Sequence, residues 1–237
     1  MKAPRTNLLS ISSEQINTLP LRQYAGPISI VSTAQDLAAA SLYLRDERIL
    51  GFDTETRPSF RPGEQHPVSL LQLAGEEHVF LFQLAHLPDL GPLVPILESP
   101  RIRKVGVAIQ QDANQLRKHH PYTPRGFAEI GELARGLGVM NTGLRPLSAM
   151  FLGFRVAKGA KTTNWANPTL SDGQIVYAAT DAWVSRLLYV KLAGGARPLY
   201  GGVAPTPDAD AEADDDDADD DDDDDDDAAD ADADDEG

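Results

Sequence analysis

Two acidic residues, Asp53 and Glu55, stand one residue apart at the end of a short apolar segment. The segment, residues 49–52, reads Ile-Leu-Gly-Phe and is typical of an interior strand. Because successive side chains of a strand point to opposite sides, the two carboxylates share one side. Two like charges at such a place repel each other, so the pair predicts a partner that offsets the repulsion.

Three more residues extend this chemistry. Asp112 falls where a predicted strand meets a predicted helix, a position at which α/β proteins usually carry function. Tyr177 and Asp181 are four residues apart on a long predicted helix, so they lie on one helix face. If the strand that carries Asp53 is central, all four acidic residues converge at one end of the sheet.

Four carboxylates in a small volume need cations to offset their repulsion. Oxygen ligands select Mg²⁺ or Mn²⁺ over softer metals. Two such ions, about 3.5–4 Å apart, form a known clamp for in-line displacement at phosphorus. In that arrangement the Tyr177 hydroxyl would hold the attacking water. The residue types therefore predict a two-ion centre for phosphoryl chemistry.

Each of these features also has a simpler explanation. An isolated Asp-x-Glu pair is usually solvated, Asp112 can cap the helix that follows it, and Tyr177 with Asp181 can be an ordinary surface pair. The five histidines show no ligand spacing. Two alternatives to an enzyme therefore stay open: a non-catalytic nucleic-acid-binding module, and an interaction protein that acts through an acidic tail.

The elements that must position these residues follow from hydrophobic spacing and turn signals. Strands are predicted at residues 28–31, 49–53, 68–74, 78–84 and 102–109. Helices are predicted at residues 33–44, 110–119, 127–139, 145–152 and 169–192, with a short one within 89–99 that Pro92 and Pro95 limit. Gly75-Glu76-Glu77 predicts a hairpin turn between two of the strands. This mixture predicts an α/β domain with a mixed sheet flanked by helices.

Charge is distributed unevenly along the chain. The 237 residues carry a formal charge of −16, but residues 201–237 contain 21 of the 37 acidic residues and none of the 21 basic ones, which leaves +5 on residues 1–200. Mild basicity favours a polyanionic partner. The unbroken run Asp219–Asp227 predicts a disordered acidic tail, which would bind basic partners or the protein's own basic surface.

Composition excludes several other classes. The chain has no cysteine, which excludes disulfides and cysteine–zinc sites. No uninterrupted stretch of about 20 apolar residues predicts a membrane span, and the first residues lack the apolar core of a secretory signal. We therefore expect a cytoplasmic protein.

Three segments resemble, in order and spacing, the three exonuclease motifs of the DEDD superfamily. They are GFDTET, KVGVAIQQDANQL and LSDGQIVYAATDAWVSRLLY. The similarity is to the branch with tyrosine in the third motif (DEDDy), which contains the ribonuclease D and Werner-type 3′–5′ exonuclease domains. The connecting segments LLQLA, ELARGLG, LSAMFLGF and NWANPTLSDGQIVYAA are similar as well, so the resemblance covers roughly residues 28–193.

This resemblance implies a ribonuclease-H-like fold and a two-metal-dependent 3′–5′ exonuclease. Such an enzyme hydrolyses phosphodiester bonds at the 3′ end of single-stranded DNA or RNA and releases nucleoside 5′-monophosphates. The resemblance implies that two Mg²⁺ or Mn²⁺ ions are bound by Asp53, Glu55, Asp112 and Asp181. It also implies that Tyr177 orients the nucleophilic water, and that Glu55 and the main chain around Thr54 hold the terminal 3′-hydroxyl.

The resemblance also divides the chain. We predict an N-terminal arm at residues 1–27, an exonuclease domain at 28–195, and a linker with the Asp-rich tail at 196–237. Three positions depart from the family pattern: Thr56 stands where many relatives have tryptophan, Asn164 precedes Trp165 in place of aspartate, and Ala128-Glu129 replaces a common Asp-Leu. None of these departures removes a predicted metal ligand, so they bear on substrate preference.

Overall fold

A mixed six-stranded sheet forms the centre of the protein. The computed structural model describes residues 8–59, 61, 66–158, 163–200 and 202–203. Its strands are β1 (Leu9–Ser10), β2 (Ile28–Val31), β3 (Ile49–Thr56), β4 (Val68–Ala74), β5 (Val79–Gln83), β6 (Arg103–Gly106), β7 (Phe127–Glu129) and β8 (Gly202–Val203). The sheet has the order β2-β5-β4-β3-β6-β7, while β1 and β8 pair separately. Because β3 pairs antiparallel with β4 and parallel with β6, it is an interior strand, as the sequence predicts.

Helices lie on both faces of this sheet. They are α1 (Ser13–Asn17), α2 (Ala34–Leu44), α3 (Val94–Leu97), α4 (Ile109–His119), α5 (Ile130–Gly136), α6 (Leu144–Leu152) and α7 (Asp172–Ala193), with short 3₁₀ turns at Leu84–His86 and Gly91–Leu93. The predicted start of the long helix is confirmed: the Ser171 hydroxyl accepts the Gln174 N–H, and the Gln174 side chain accepts the Ser171 N–H. The predicted hairpin is confirmed too, since Gly75 N donates to the His78 carbonyl at 2.9 Å.

Because successive side chains of β3 alternate, they point to the two opposite faces of the sheet. Leu50 and Phe52 belong to an apolar cluster with residues of α2 and α4. The opposite face of the sheet contributes Leu70 and Leu81 to a second cluster, together with the alanines of α7 at 178, 179 and 182. Because these helix residues are small, α7 can lie close to the sheet.

The closest approach of α7 to the sheet is at Gly51. A Cβ atom at this position would lie 1.8 Å from the carbonyl oxygen of Ala182, so no other residue fits without moving the helix. Next to this crossing, Arg186 Nε donates to the Ile49 carbonyl at 3.2 Å. The crossing brings Asp181 of α7 to the side of β3 that carries its two acidic residues.

The junction between β6 and α4 differs from the prediction. The sequence predicts a strand over residues 102–109, but β6 ends at Gly106 and α4 already begins at Ile109. Ala108 makes the sharp turn in the left-handed conformation, with φ of 57°. A Cβ atom at Gly106 would lie 2.5 Å from the Phe52 carbonyl oxygen, so this end of β6 also lies very close to β3.

Two further elements become clear only in three dimensions. The first three residues of the helix predicted at 127–139 form β7, which pairs in parallel with β6, and the helix itself is α5, Ile130–Gly136. The predicted N-terminal arm contains β1 and α1, and its Ile11 and Ile16 are buried in the apolar cluster that includes residues of α6 and α7. Both differences arise from long-range partners, which local spacing does not reveal.

The C-terminal segment is described only in part. Leu199 N donates to the Met150 carbonyl at 2.6 Å, and β8 pairs with β1. Residues 204–237, which include the Asp-rich run, lie outside the described residues, and the predicted disorder of the tail stays a prediction. Among the helices that the structure describes, none is long and apolar enough to cross a membrane.

Candidate active site

Three carboxylates meet where α7 crosses β3. Ligand oxygens of Asp53, Glu55 and Asp181 all lie within 4.8 Å of one another. Asp53 and Glu55 are partly exposed on one side of β3, and Asp181 is buried with 7% of its surface exposed. The same-side placement predicted from the Asp-x-Glu spacing therefore exists, and the docking of α7 supplies the third carboxylate.

Asp112 lies beside this group but is not part of it. It occupies the first turn of α4, and its Oδ1 accepts a 2.7 Å hydrogen bond from the Thr54 hydroxyl. The Thr54 main-chain N–H in turn donates to Asp53 Oδ1 at 2.9 Å. Thr54 therefore links Asp112 to the three-carboxylate group through two hydrogen bonds. Its predicted part in holding the substrate end stays a prediction.

Burial raises the pKa values of all four carboxyl groups, and repulsion within the group adds to the rise at Asp53 and Glu55. Burial, followed by the neighbouring charge of Asp181, raises the pKa of Asp53 well above its ordinary value. The same causes raise the pKa of Glu55 to about 8. Burial also raises the pKa of Asp181 to about 7, against a hydrogen bond from Tyr177, and that of Asp112 to about 6. Such a group either keeps protons near neutral pH or binds cations that replace them.

Tyr177 presents its hydroxyl to the same group. Its hydroxyl interacts with Asp181, and burial together with the charge of Asp181 raises the pKa of Tyr177 above its ordinary value of 10. The phenol therefore keeps its proton at neutral pH and acts as a hydrogen-bond donor. The ring of Trp165 packs against the Tyr177 ring with 6.0 Å between centroids, which restricts the orientation of the phenol.

The start of α4, and with it Asp112, is held by Glu129. The two oxygens of Glu129 accept the N–H groups of Ala108 at 3.1 Å and Ile109 at 3.0 Å. Asp112 makes no capping bond, so the simpler explanation of it as a helix cap is wrong. Sequence reasoning noted Glu129 only as a departure from the family. The available signal was that Ala108 has no side-chain oxygen to cap the helix itself.

A cavity of about 300 Å³ opens beside the carboxylates. Its lining includes Gln23, Thr163, Trp165, Gln174, Tyr177 and Asp181. Asn164 precedes the lining residue Trp165, and its side chain accepts the Ala166 N–H at 3.1 Å and donates to Asn167 at 2.8 Å. These bonds order the turn that presents Trp165. Asn164 is thus used in loop structure rather than in the carboxylate group.

The donor set fits divalent cations. It consists of carboxylate oxygens and a phenol, with no sulfur or imidazole, and such hard ligands favour Mg²⁺ or Mn²⁺. Three buried or half-buried acids within 4.8 Å also need positive charge to ionise together. The geometry therefore suits a metal-assisted reaction at a phosphate ester.

Comparison with known proteins identifies the family to which the chain is similar. Residues 28–194 match the 3′–5′ exonuclease family. The bifunctional 3′–5′ exonuclease/ATP-dependent helicase WRN of Mus musculus is 30% identical over 186 residues, which are 74% of this chain and 13% of that protein. Ribonuclease D of Haemophilus influenzae is 33% identical over 123 residues, which are 52% of this chain and 31% of that protein. The chain thus spans less than a third of either relative.

Solved structures are similar in fold. Escherichia coli RNase D aligns with a TM-score of 0.63 and 24% identity, covering 70% of this chain and 44% of that one. The Aedes aegypti Nibbler EXO domain aligns with a TM-score of 0.65 and 22% identity, covering 74% and 91%. These similarities confirm the predicted ribonuclease-H-like fold with its mixed central sheet.

Proposed function

This chain belongs to the 3′–5′ exonuclease family, of the ribonuclease D and Werner kind, and we propose that it removes nucleoside 5′-monophosphates from the 3′ end of single-stranded nucleic acid. The observation that carries the proposal is the meeting of Asp53, Glu55 and Asp181 within 4.8 Å, beside the Tyr177 hydroxyl. A fold alone would not support an activity, because one fold hosts many functions.

The carboxylates would hold two Mg²⁺ or Mn²⁺ ions, which lower the pKa of a bound water and stabilise charge on the phosphate. Asp53, Glu55 and Asp181 supply the shared ligand oxygens. Asp112 would join them from α4, held in place by the Thr54 hydroxyl at one side and by the Glu129 cap at the base of its helix.

The remaining roles belong to Tyr177 and Glu55. Tyr177 keeps its proton because its pKa is raised, so it can donate a hydrogen bond that orients the attacking water toward the phosphorus. Glu55 lies near the end of β3, partly exposed, where it can accept the hydrogen bond of a free 3′-hydroxyl. A free 3′ end is then required, which makes the enzyme an exonuclease.

The proposed substrate is single-stranded DNA or RNA. The names of two relatives support this breadth, because one refers to RNA and the other to DNA. They are a ribonuclease D of Haemophilus influenzae and a DNA polymerase I of Aquifex aeolicus. The catalytic domain would span residues 28–195. The acidic tail would compete with nucleic acid for basic side chains, since it carries a charge opposite to the +5 of residues 1–200.

The test uses 5′-end-labelled single-stranded DNA and RNA of equal sequence. With Mn²⁺ we expect a ladder that shortens from the 3′ end, and no cleavage in chelator. Asp181→Asn is the matched inactive control, because it keeps the shape of the side chain while removing a predicted metal ligand. An intact substrate after long incubation with both metals and both nucleic acids would leave a binding module as the better explanation.

A further inference from the structure

Gln72 is a fully buried glutamine whose side-chain amide has no hydrogen-bond partner among the described residues. It lies on β4, directly opposite Asp53 of β3 in the antiparallel pairing. None of its surface is exposed, and neither its Nε2 nor its Oε1 has a hydrogen-bond partner within the described part of the chain. Buried amides in native proteins are nearly always paired, so this one needs an explanation.

Packing alone does not explain the choice of glutamine here. Apart from Asp53, this face of the sheet is largely apolar: it carries Leu81 directly opposite Gln72 on β5, Leu70 two positions away on β4, and the α7 alanines at 178 and 182 that cluster with them. An apolar side chain would fill this space without leaving polar atoms unpaired. By contrast Gln83, the other buried glutamine of these strands, donates to the Pro168 carbonyl at 3.1 Å.

The residue directly across the strand pair from Gln72 is Asp53, a member of the carboxylate group. Residues directly opposite in an antiparallel pair have Cβ atoms about 4.5–5.5 Å apart and project to the same side. A glutamine side chain is long enough to reach a carboxylate across that distance. Asp53 uses its Oδ1 to accept the Thr54 N–H, which leaves Oδ2 as the atom that Gln72 Nε2 would meet.

We propose that Gln72 is a positioning residue that donates from Nε2 to Asp53 and fixes the orientation of this carboxylate when the group holds divalent cations. The inference rests on the proposed function, because it assumes that Asp53 is a metal ligand. Partners that orient ligating carboxylates commonly affect metal affinity and turnover by about 10–100-fold. Thr54 and Gln72 would then hold Asp53 from its two sides.

The test replaces Gln72 by methionine, which has a similar volume and no amide. In the full chain we expect Gln72→Met to bind Mn²⁺ about 10–100-fold more weakly, measured by calorimetry and by the electron paramagnetic resonance of free Mn²⁺. Without metal its melting temperature should equal or exceed that of the wild type, since the unpaired amide is gone. Leu81→Met is the matched control: it changes packing opposite Gln72 but removes no polar group, and should leave Mn²⁺ affinity unchanged.

The kinetic constants of cleavage provide a second measurement, and a purely structural role of Gln72 would not change them in the same way. At fixed Mn²⁺, Gln72→Met should lower kcat by about 10–100-fold while the KM for the labelled strand stays constant, and higher Mn²⁺ should restore part of the rate. If the methionine variant does not fold, Gln72→Asn keeps an amide on a shorter stem and should still weaken Mn²⁺ binding.

The outcomes separate this inference from the proposed function. Wild-type protein that binds no Mn²⁺ would refute the metal centre itself. Wild-type protein that binds Mn²⁺, with either Gln72 variant matching its affinity and kcat, would refute only the role of Gln72. A Gln72→Met protein that loses equal stability with and without Mn²⁺ would show that the amide is structural, and would also overturn the inference.

Discussion

Asp181→Asn tests the electrostatics of the carboxylate group most directly, because it should stabilise the metal-free protein while abolishing cleavage. Burial raises the pKa of Asp181 from 3.8 to about 7, so the folded state holds this proton more tightly than the unfolded chain does. When the pKa of an acid is raised by folding, its contribution to the free energy of unfolding is present at low pH. That contribution is lost as the pH rises through the pKa of the folded state. The asparagine carries no charge and avoids that loss.

The magnitude follows from the size of the pKa change. At about 1.4 kcal/mol for each pKa unit, a rise from 3.8 to about 7 corresponds to roughly 4 kcal/mol. Asparagine makes a weaker bond with the Tyr177 hydroxyl than the carboxylate does, so we expect a net gain of about 2–4 kcal/mol above pH 7. For a protein of this size that is an increase in melting temperature of about 5–15 °C.

Thermal unfolding of both proteins in chelator, from pH 4 to pH 8.5, measures this effect. The two melting temperatures should coincide near pH 4 and separate as pH rises, with the variant higher. Added Mn²⁺ should raise the wild-type melting temperature and leave the variant almost unchanged. A variant that melts below the wild type at pH 8 in chelator would refute the electrostatic reasoning, and one that cleaves normally would remove Asp181 from the site.

Four further expectations follow from the same site. Tyr177→Phe keeps the ring against Trp165 but deletes the hydroxyl, so turnover should fall by about 10²–10⁴-fold with KM unchanged; normal turnover would reduce Tyr177 to packing. Gly51→Ala places a Cβ 1.8 Å from the Ala182 carbonyl oxygen, so denaturant unfolding should show a loss of about 1–3 kcal/mol or more, and equal stability would contradict the close crossing. A 3′-phosphate on the labelled strand should block cleavage because Glu55 needs a free hydroxyl, whereas equal rates would indicate an endonuclease. Ending the chain at Ala204, which keeps the pairing of β8 with β1 and removes only the acidic tail, should tighten single-strand binding at low salt and not at high salt. Binding curves that superimpose at every salt concentration would make the tail a solubilising appendage.

The sequence predicts most of the elements that build this site, for identifiable reasons. Residues 49–52 and 68–74 are apolar runs bounded by turn signals, and the Ser171 cap marks the start of α7. Strand alternation alone places Asp53 and Glu55 on one side. These are local properties, and each is encoded within a few neighbouring residues.

What the sequence does not predict depends on contacts between distant segments. The crossing of α7 over Gly51 decides which acid joins the pair on β3, yet a glycine inside a strand indicates only some close approach. Glu129 holds the first turn of α4 from another strand, and Gln72 is an unremarkable residue of an apolar run until its register against Asp53 is known. The catalytic roles of the acids and of Tyr177 stay predictions.

The contact between α7 and β3 also bears on how the chain folds. The hydrogen bond from Arg186 to the Ile49 carbonyl closes a loop of 137 residues, which is among the slow, entropically unfavourable events of folding. The hairpin of β4 and β5 needs no such closure and can form early. The repelling carboxylates therefore meet only after the long loop has closed, and their repulsion should accelerate unfolding far more than it slows folding. Bound metal would therefore slow unfolding and lengthen the lifetime of the native state, without changing the pathway by which the chain folds.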